Sequence, residues 1–380
     1  MKRKTRDEKI AQILYLLIGA ACGAIILLSA DPIKFFGSKP SHLLISLGFS
    51  MLFVFAAYFV QLIIHELGHL VFGILSGYEF ISFRIGGVML IKETGKLRIK
   101  IYKIVGTGGQ CLMMPPPWKK DLPMVLYNLG GCIFNLVFGI LFLAAFVFME
   151  KGGYFSMLIG LISVWGFGNL FLNGIPLKVG GICNDGKNAI LIKKSEKARH
   201  ILWLQLYVNG LMAKGEKISN MPENWFFLPE GEDLFDPMIC TIGVMRFNYF
   251  FEKKEFEKAE EIAEYMIKAP GILGLHKNEL LCELLFIKIY LGAESSVIEK
   301  LYTKELDKYI KATANYISRR RLAYAYQLLY KRNIYMAEKC LAVFERTAKI
   351  APYSAEIENE REIIKLIQSK SEDIFSIQCP

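Results

Sequence analysis

The stretch His65-Glu66-Leu67-Gly68-His69 lies inside a long apolar run, from Leu43 to about Ser76. A run of that length has few ways to fold. In lipid, every backbone N–H and C=O must be paired inside the segment, so such a run crosses as a helix. As one straight helix it would measure about 50 Å, at 1.5 Å per residue, against a hydrocarbon core of about 30 Å. It must therefore tilt, bend or continue beyond the membrane. Two histidines and a carboxylate are costly inside a span, and ionisable residues there usually mark function. Residues four apart share one helical face, so His65 and His69 point the same way.

Two imidazoles at that spacing can hold one zinc ion, with Glu66 projecting beside the metal to activate water. His-Glu-x-x-His is a metalloprotease signature. The plain alternative is a helix whose histidines and glutamate face other protein groups.

The rest of the chain also reads as a membrane protein. Hydrophobic residues make up 53% of its 380 positions, and its mean hydropathy is positive. Both values favour membrane spans. A basic start (Lys2, Arg3, Lys4, Arg6 and Lys9 against Asp7 and Glu8) precedes the apolar run Ile10 to Ala30. A cleaved signal peptide has the same order, but this apolar part is long and Leu28-Ser29-Ala30 is a poor cleavage site. The basic start stays in the cytosol, so the first span runs outward. Asp31 to Ser41 is then a short outer loop, and Lys151-Gly152-Gly153 a tight outer turn. Expected spans are about 10–30, 43–76, 122–149 and 154–176, with both termini cytosolic and His65 in the inner half of the membrane. Pro176 ends the fourth. The net charge of +10 follows orientation, because the basic residues gather in expected cytosolic loops. No aromatic-and-basic RNA motif or zinc-finger spacing is present, which argues against a nucleic-acid partner. The eight cysteines are scattered and read as free thiols.

Between the second and third spans the period changes. Lys96 to Ile101 alternates polar and apolar residues, the pattern of a half-buried strand. Val88 to Ile91 is its expected partner, with Glu93-Thr94-Gly95 as the turn. Gly106 to Pro117 reads as a loop, either a flap over the site or a plain connection. Beyond Lys187 the chain reads as soluble and helical. The expected division is a membrane domain over 1–186, a linker with a helix over 187–237, and a cytosolic helical domain over 238–380. That last domain is expected to fold alone and to offer a surface for a cytosolic protein partner. Phe250, Phe256, Ala259 and Pro270 loosely resemble a tetratricopeptide repeat, with an ordinary helical bundle as the alternative. His200 and His276 have no ligand-like partner at helical spacing. The fold class is thus a mainly α membrane protein: four transmembrane helices, a small cytosolic β-hairpin, then an all-α domain like a helical repeat.

Further polar residues stand inside the later spans. Asn128, Gly131 and Asn135 share one face of the third, and Asn169 and Asn173 one face of the fourth. Helix packing through Gly130 and Gly131, with an interhelical bond from Asn135, is the structural alternative. Two histidines leave a catalytic zinc one protein ligand short of the usual three. The third must come from a segment returning to the inner half of the membrane. Asp185 is the first carboxylate after the fourth span; Cys183 and Asn184 are its neighbours and rivals.

His65-Glu66-x-x-His69, Gly131-x-x-x-Asn135, and Asn173-x-x-Pro176 leading to Asp185-Gly186 together resemble the site-2 protease family of intramembrane zinc proteases, peptidase family M50. The resemblance covers about Phe53 to Ile190. It implies a three-helix catalytic core, zinc held by His65, His69 and Asp185, and Glu66 as the base. The distance from Pro176 to Asp185 is longer than the family usually shows, and Gly174 stands where the family often has proline. The expected activity is hydrolysis of membrane-anchored proteins or peptides near the cytosolic face, within the lipid bilayer. Asn135 and Asn173 are the expected substrate-positioning residues. A membrane helix hides its carbonyls, so the substrate must unwind. An exposed hairpin edge near Lys96 to Ile104 would hold it by strand addition. Two alternatives stand beside this reading: a protease maturing a small exported peptide, and an inactive scaffold with a partner-binding tail. The intact Glu66 speaks against the scaffold.

Overall fold

The structure is a computed structural model that describes residues 5–29, 40–93, 95–103, 108–150, 153–227 and 234–376. Outside the described residues lie most of the expected outer loop Asp31 to Ser41, two of the three residues of the Lys151-Gly152-Gly153 turn, Thr94 of the hairpin turn and Met1 to Lys4. Residues 104–107 of the glycine-rich stretch and 228–233 of the linker lie outside them too. The chain forms two compact units: residues 1–85 with 108–200, and residues 86–107 with 201–380.

The first unit holds α1 (Arg6–Ser29), α2 (Pro40–Leu75), α3 (Met124–Phe148) and α4 (Tyr154–Gly174). Each is long and apolar enough to cross a membrane. They correspond to the four expected spans. Their outward side chains are apolar: Leu16, Leu44, Leu52, Leu141 and Phe155 are all exposed. That surface suits lipid, where an exposed apolar side chain carries no penalty. The polar groups point inward. Inside the bundle, Ile18, Cys22, Ala57, Met157, Leu161 and Ile162 form a buried cluster. Glycines set the helix crossings. A Cβ added to Gly68 would lie 2.3 Å from Gly130 O, and one on Gly166 would lie 2.8 Å from Gly139 Cα. Small residues let the backbones approach where lipid offers no hydrophobic drive to association.

Also in this unit, β1 (Glu79–Ile85) pairs antiparallel with β4 (Gly109–Met114), from Glu79↔Met114 to Ile85↔Gly109. The expectation of a loop over Gly106 to Pro117 is therefore corrected. Cys111, Leu112 and Met113 are all buried, so the strand lacks the alternation that marks a half-exposed one. After α4 comes a small hairpin, β5 (Lys178–Val179) with β6 (Ile182–Cys183). Its turn, Gly180-Gly181, has φ values of 58° and 86°, as a two-residue type I′ turn requires. The helix α5 (Asp185–Lys194) follows directly.

The second unit holds the expected hairpin, β2 (Val88–Glu93) with β3 (Lys96–Ile101), in register from Val88↔Ile101 to Glu93↔Lys96. Its helices begin within α6 (Glu196–Ala213) and run through α7 (Pro237–Glu252), α8 (Phe256–Ile267) and α9 (Gly274–Leu291). They continue as α10 (Ser295–Leu301), α11 (Lys304–Ala312), α12 (Ile317–Ala325), α13 (Ile334–Ala348) and α14 (Ser354–Ser376). Consecutive pairs α7–α8, α8–α9 and α12–α13 pack together, and α9 and α14 both meet α12. Two arginines lie inside. Arg319 pairs with Glu279 and Glu283, and Arg321 with Glu283 and Glu360. The Arg321 guanidinium also lies 4.1 Å from the centroid of Phe286.

The hairpin is docked on these helices. Lys100 Nζ donates to Ala351 O at 3.4 Å and to Pro352 O at 3.1 Å. Asn315 Nδ2 donates to Lys103 O at 2.8 Å. The rings of Tyr102 and Tyr316 stack with centroids 6.1 Å apart. The compact helical unit thus includes a hairpin from much earlier in the chain.

Candidate metal centre

His65 and His69 lie one turn apart on α2, where the four-residue spacing puts both rings on the face toward α3. Each ring is held from behind. His69 Nδ1 lies 2.9 Å from Tyr127 O. A carbonyl can only accept, so Nδ1 carries a proton, and in the neutral ring Nε2 keeps its lone pair. His65 Nδ1 lies 2.6 Å from Asn135 Oδ1, and the orientation of that amide is itself fixed. Asn135 Nδ2 donates to the carbonyl Gln61 O at 3.2 Å and to Gln61 Oε1 at 2.9 Å. Gln61 Nε2 donates to Ile162 O at 3.0 Å. Backbone carbonyls at Gln61 and Ile162 therefore set both amides, and the amides set the tautomer of His65. Its Nε2 also faces the site bare.

The third group arrives from the start of α5. Asp185 Oδ2 lies 3.1 Å from His65 Nε2 and 3.4 Å from His69 Nε2, and the two Nε2 atoms are 3.2 Å apart. Three lone-pair donors thus converge with no proton assigned among them. Asp185 Oδ2 is buried and receives no hydrogen bond. With both rings neutral and the carboxylate ionised, that arrangement repels itself unless a cation sits between the donors. The distances suit one. Ligands at the corners of a tetrahedron, each about 2.05 Å from the ion, stand about 3.3 Å apart. Among the described residues these three are the one group of three or more such side chains able to hold a metal ion.

Glu66 points beside the cluster. It is buried and accepts a hydrogen bond from the backbone N–H of Cys111 on β4. A Cβ added to Gly109 would lie 2.7 Å from Glu66 Oε1. The strand therefore reaches Glu66 closely because that position is glycine. Tyr127 Oη donates to Cys111 O at 3.1 Å, tying β4 to α3. The strand beside Glu66 is thus β4.

The expected substrate-positioning residues separate. Asn135 is fully buried, and both its donors go to Gln61 while its oxygen takes His65. No donor remains for a substrate, so its geometry is that of a group orienting His65. Asn173 Nδ2 donates to Asn169 O at 3.2 Å, one turn back in its own helix. None of its contacts reaches the histidines. Gly131 touches His65 directly: a Cβ there would lie 2.5 Å from His65 Cε1. Cys183 stands two residues before Asp185 and is outside the cluster. His200 meets Trp118 edge-on at 4.7 Å, and burial lowers the pKa of His276. Neither joins the cluster. Gln61, Gly109 and Cys111 were not anticipated. Gln61, four residues before His65 and so on its face, was the one visible as a polar residue in an apolar run.

No curated protein and no solved structure matches the chain. The sequence pattern described as peptidase family M50 does match, over residues 53–368. Two imidazoles turned toward the Asp185 carboxylate, with a glutamate alongside and four apolar helices around them, are what a membrane metalloprotease requires, and with that match the chain belongs to peptidase family M50, a family of membrane zinc metalloproteases.

Proposed function

We propose that the protein is an intramembrane zinc protease that hydrolyses peptide bonds of membrane-anchored substrates near the cytosolic face. In this reading His65, His69 and Asp185 hold the zinc, Glu66 is the catalytic base, and both termini are cytosolic. The supporting observation is the convergence of three bare donor atoms beside Glu66, on a helix built to span lipid. Zinc held there supplies a Lewis acid and lowers the pKa of water.

The chain's own groups do the rest. Glu66 takes a proton from the attacking water and delivers it to the leaving nitrogen. The Cys111 N–H holds the Glu66 carboxylate in place for both transfers. Asn135 and Tyr127 O keep the two histidine protons on Nδ1, away from the reacting atoms. Burial of the cluster limits water, which strengthens each of these interactions. The unwound substrate stretch runs beside β4, the strand that reaches Glu66, and Asn173 contacts its backbone. The second unit offers a surface for a cytosolic protein partner.

The test is Glu66→Gln in purified protein reconstituted in lipid. The variant should keep its zinc and lose cleavage of a membrane-anchored substrate, because it removes the base and spares the donors. Turnover within a few-fold of the unaltered protein would refute the mechanism.

A further inference from the structure

The path from α4 to Asp185 runs through β5, β6 and then Asn184. Asn184 uses every hydrogen-bonding position its amide has. Its Nδ2 donates to Leu172 O at 2.7 Å and to Ile175 O at 2.6 Å. Its Oδ1 accepts from Leu177 N–H at 3.1 Å and from Lys187 N–H at 3.0 Å. Leu172 O is among the carbonyls that the end of α4 leaves unpaired, and Lys187 N–H is among the donors that the start of α5 leaves unpaired. One side chain therefore ties the end of α4 to the start of α5. Neither serine nor aspartate can replace it: serine is too short, and an ionised aspartate has no donor.

Two further contacts hold the same junction. A Cβ on Gly186 would lie 2.1 Å from Gly174 O, so the first turn of α5 lies directly against the end of α4. Lys178 N–H donates to Asp7 Oδ2 at 2.8 Å, which pins the small hairpin to the first turn of α1. The residues between Pro176 and Asp185 are thus folded away as β5 and β6, and Asn184 closes their base. Asp185 is the next residue.

From these contacts we infer that Asn184 is a positioning residue for the metal centre: it sets the Asp185 carboxylate against His65 and His69 by locking the α4–α5 junction. The inference rests on the reading of Asp185 as a metal ligand. It accounts for the long spacing before Asp185, since a loop of that length would otherwise deliver the carboxylate loosely.

The experiment uses full-length protein in detergent with cobalt(II) as the probe. Affinity is read by competition with a chelator, geometry by the visible spectrum, and stability by melting of the metal-free protein. Asn184→Ala removes all four bonds. Asn184→Ser retains a cap for Lys187 N–H and so guards against a failure to fold. Both should weaken cobalt binding by about 10- to 100-fold, the usual effect of removing a group that orients a ligand. Both should also change the spectrum, while Asp185→Ala serves as the reference. A lower melting temperature with unchanged affinity and spectrum would show a merely structural residue and overturn the inference. Unchanged binding in Asp185→Ala would overturn the ligand assignment itself, and the inference with it.

Discussion

Asn135→Ala tests whether this residue serves the histidine or the substrate. The substitution removes the partner 2.6 Å from His65 Nδ1 and leaves Gln61 Oε1 without its donor. Removing a hydrogen-bond partner of a metal-binding histidine typically costs 10- to 100-fold in metal affinity, or about 1.4 to 2.7 kcal/mol. Folding should suffer separately, since each buried group left unpaired costs about 1 to 3 kcal/mol. Asn135→Asp separates the two effects. It keeps an acceptor for His65 but no longer donates to Gln61, so it should hold metal while losing stability. The assay is zinc competition against a chromophoric chelator with purified protein in detergent, with denaturant unfolding alongside. If Asn135→Ala binds zinc as tightly as the unaltered protein, and its defect is a raised KM for a membrane substrate, the orienting role is wrong.

Gly131→Ala should destabilise the protein by about 1 to 3 kcal/mol, as overpacking does, and weaken zinc binding, because its Cβ would press on the His65 ring. Gly19→Ala, where nothing lies within 4 Å, should be neutral or stabilising by up to about 1 kcal/mol; unfolding of the two variants in mixed micelles checks the opposite signs. Asp185→Ala should lose zinc and activity while Cys183→Ser keeps both, measured as metal content and cleavage; the reverse would move the ligand to Cys183. In the second unit, burial and then Glu360, Glu279 and Glu283 push the Glu356 carboxyl up to about 7. An unfolded glutamate titrates near pH 4.3, so between those values the folded unit binds more protons than the unfolded chain. Its contribution to stability is full below that window and is lost as pH rises through it. Glu356→Gln should flatten this trend between about pH 4.3 and 7, followed by tryptophan fluorescence; an unaltered slope would refute it.

Those parts of the site that depend on spacing within one helix were legible in the sequence. His65 and His69 needed only the period of an α-helix, and the four spans needed only length and hydropathy. Asp185 came from its position after the fourth span together with the family resemblance. What stayed hidden depends on groups brought together from distant parts of the chain. β4 showed no alternation because both its faces are covered. The role of Asn135 depended on Gln61, and the Gln61 amide depended on a carbonyl of α4, about a hundred residues away. The burial of Arg319 and Arg321 depends on Glu279, Glu283 and Glu360, which lie on other helices.

The docking of the β2–β3 hairpin on the late helices has a consequence for synthesis. Lys100 binds carbonyls 251 and 252 residues further along the chain. At about 5 to 20 residues per second, a ribosome needs roughly 10 to 50 s to make that interval. For that time the hairpin exists without its seat, while the last zinc-binding candidate, Asp185, is made about a third of the way through it. The three candidate ligands are therefore complete in sequence well before the hairpin has its seat. A newborn chain passes through an age at which all three candidate ligands are present before its last helices have closed on the hairpin.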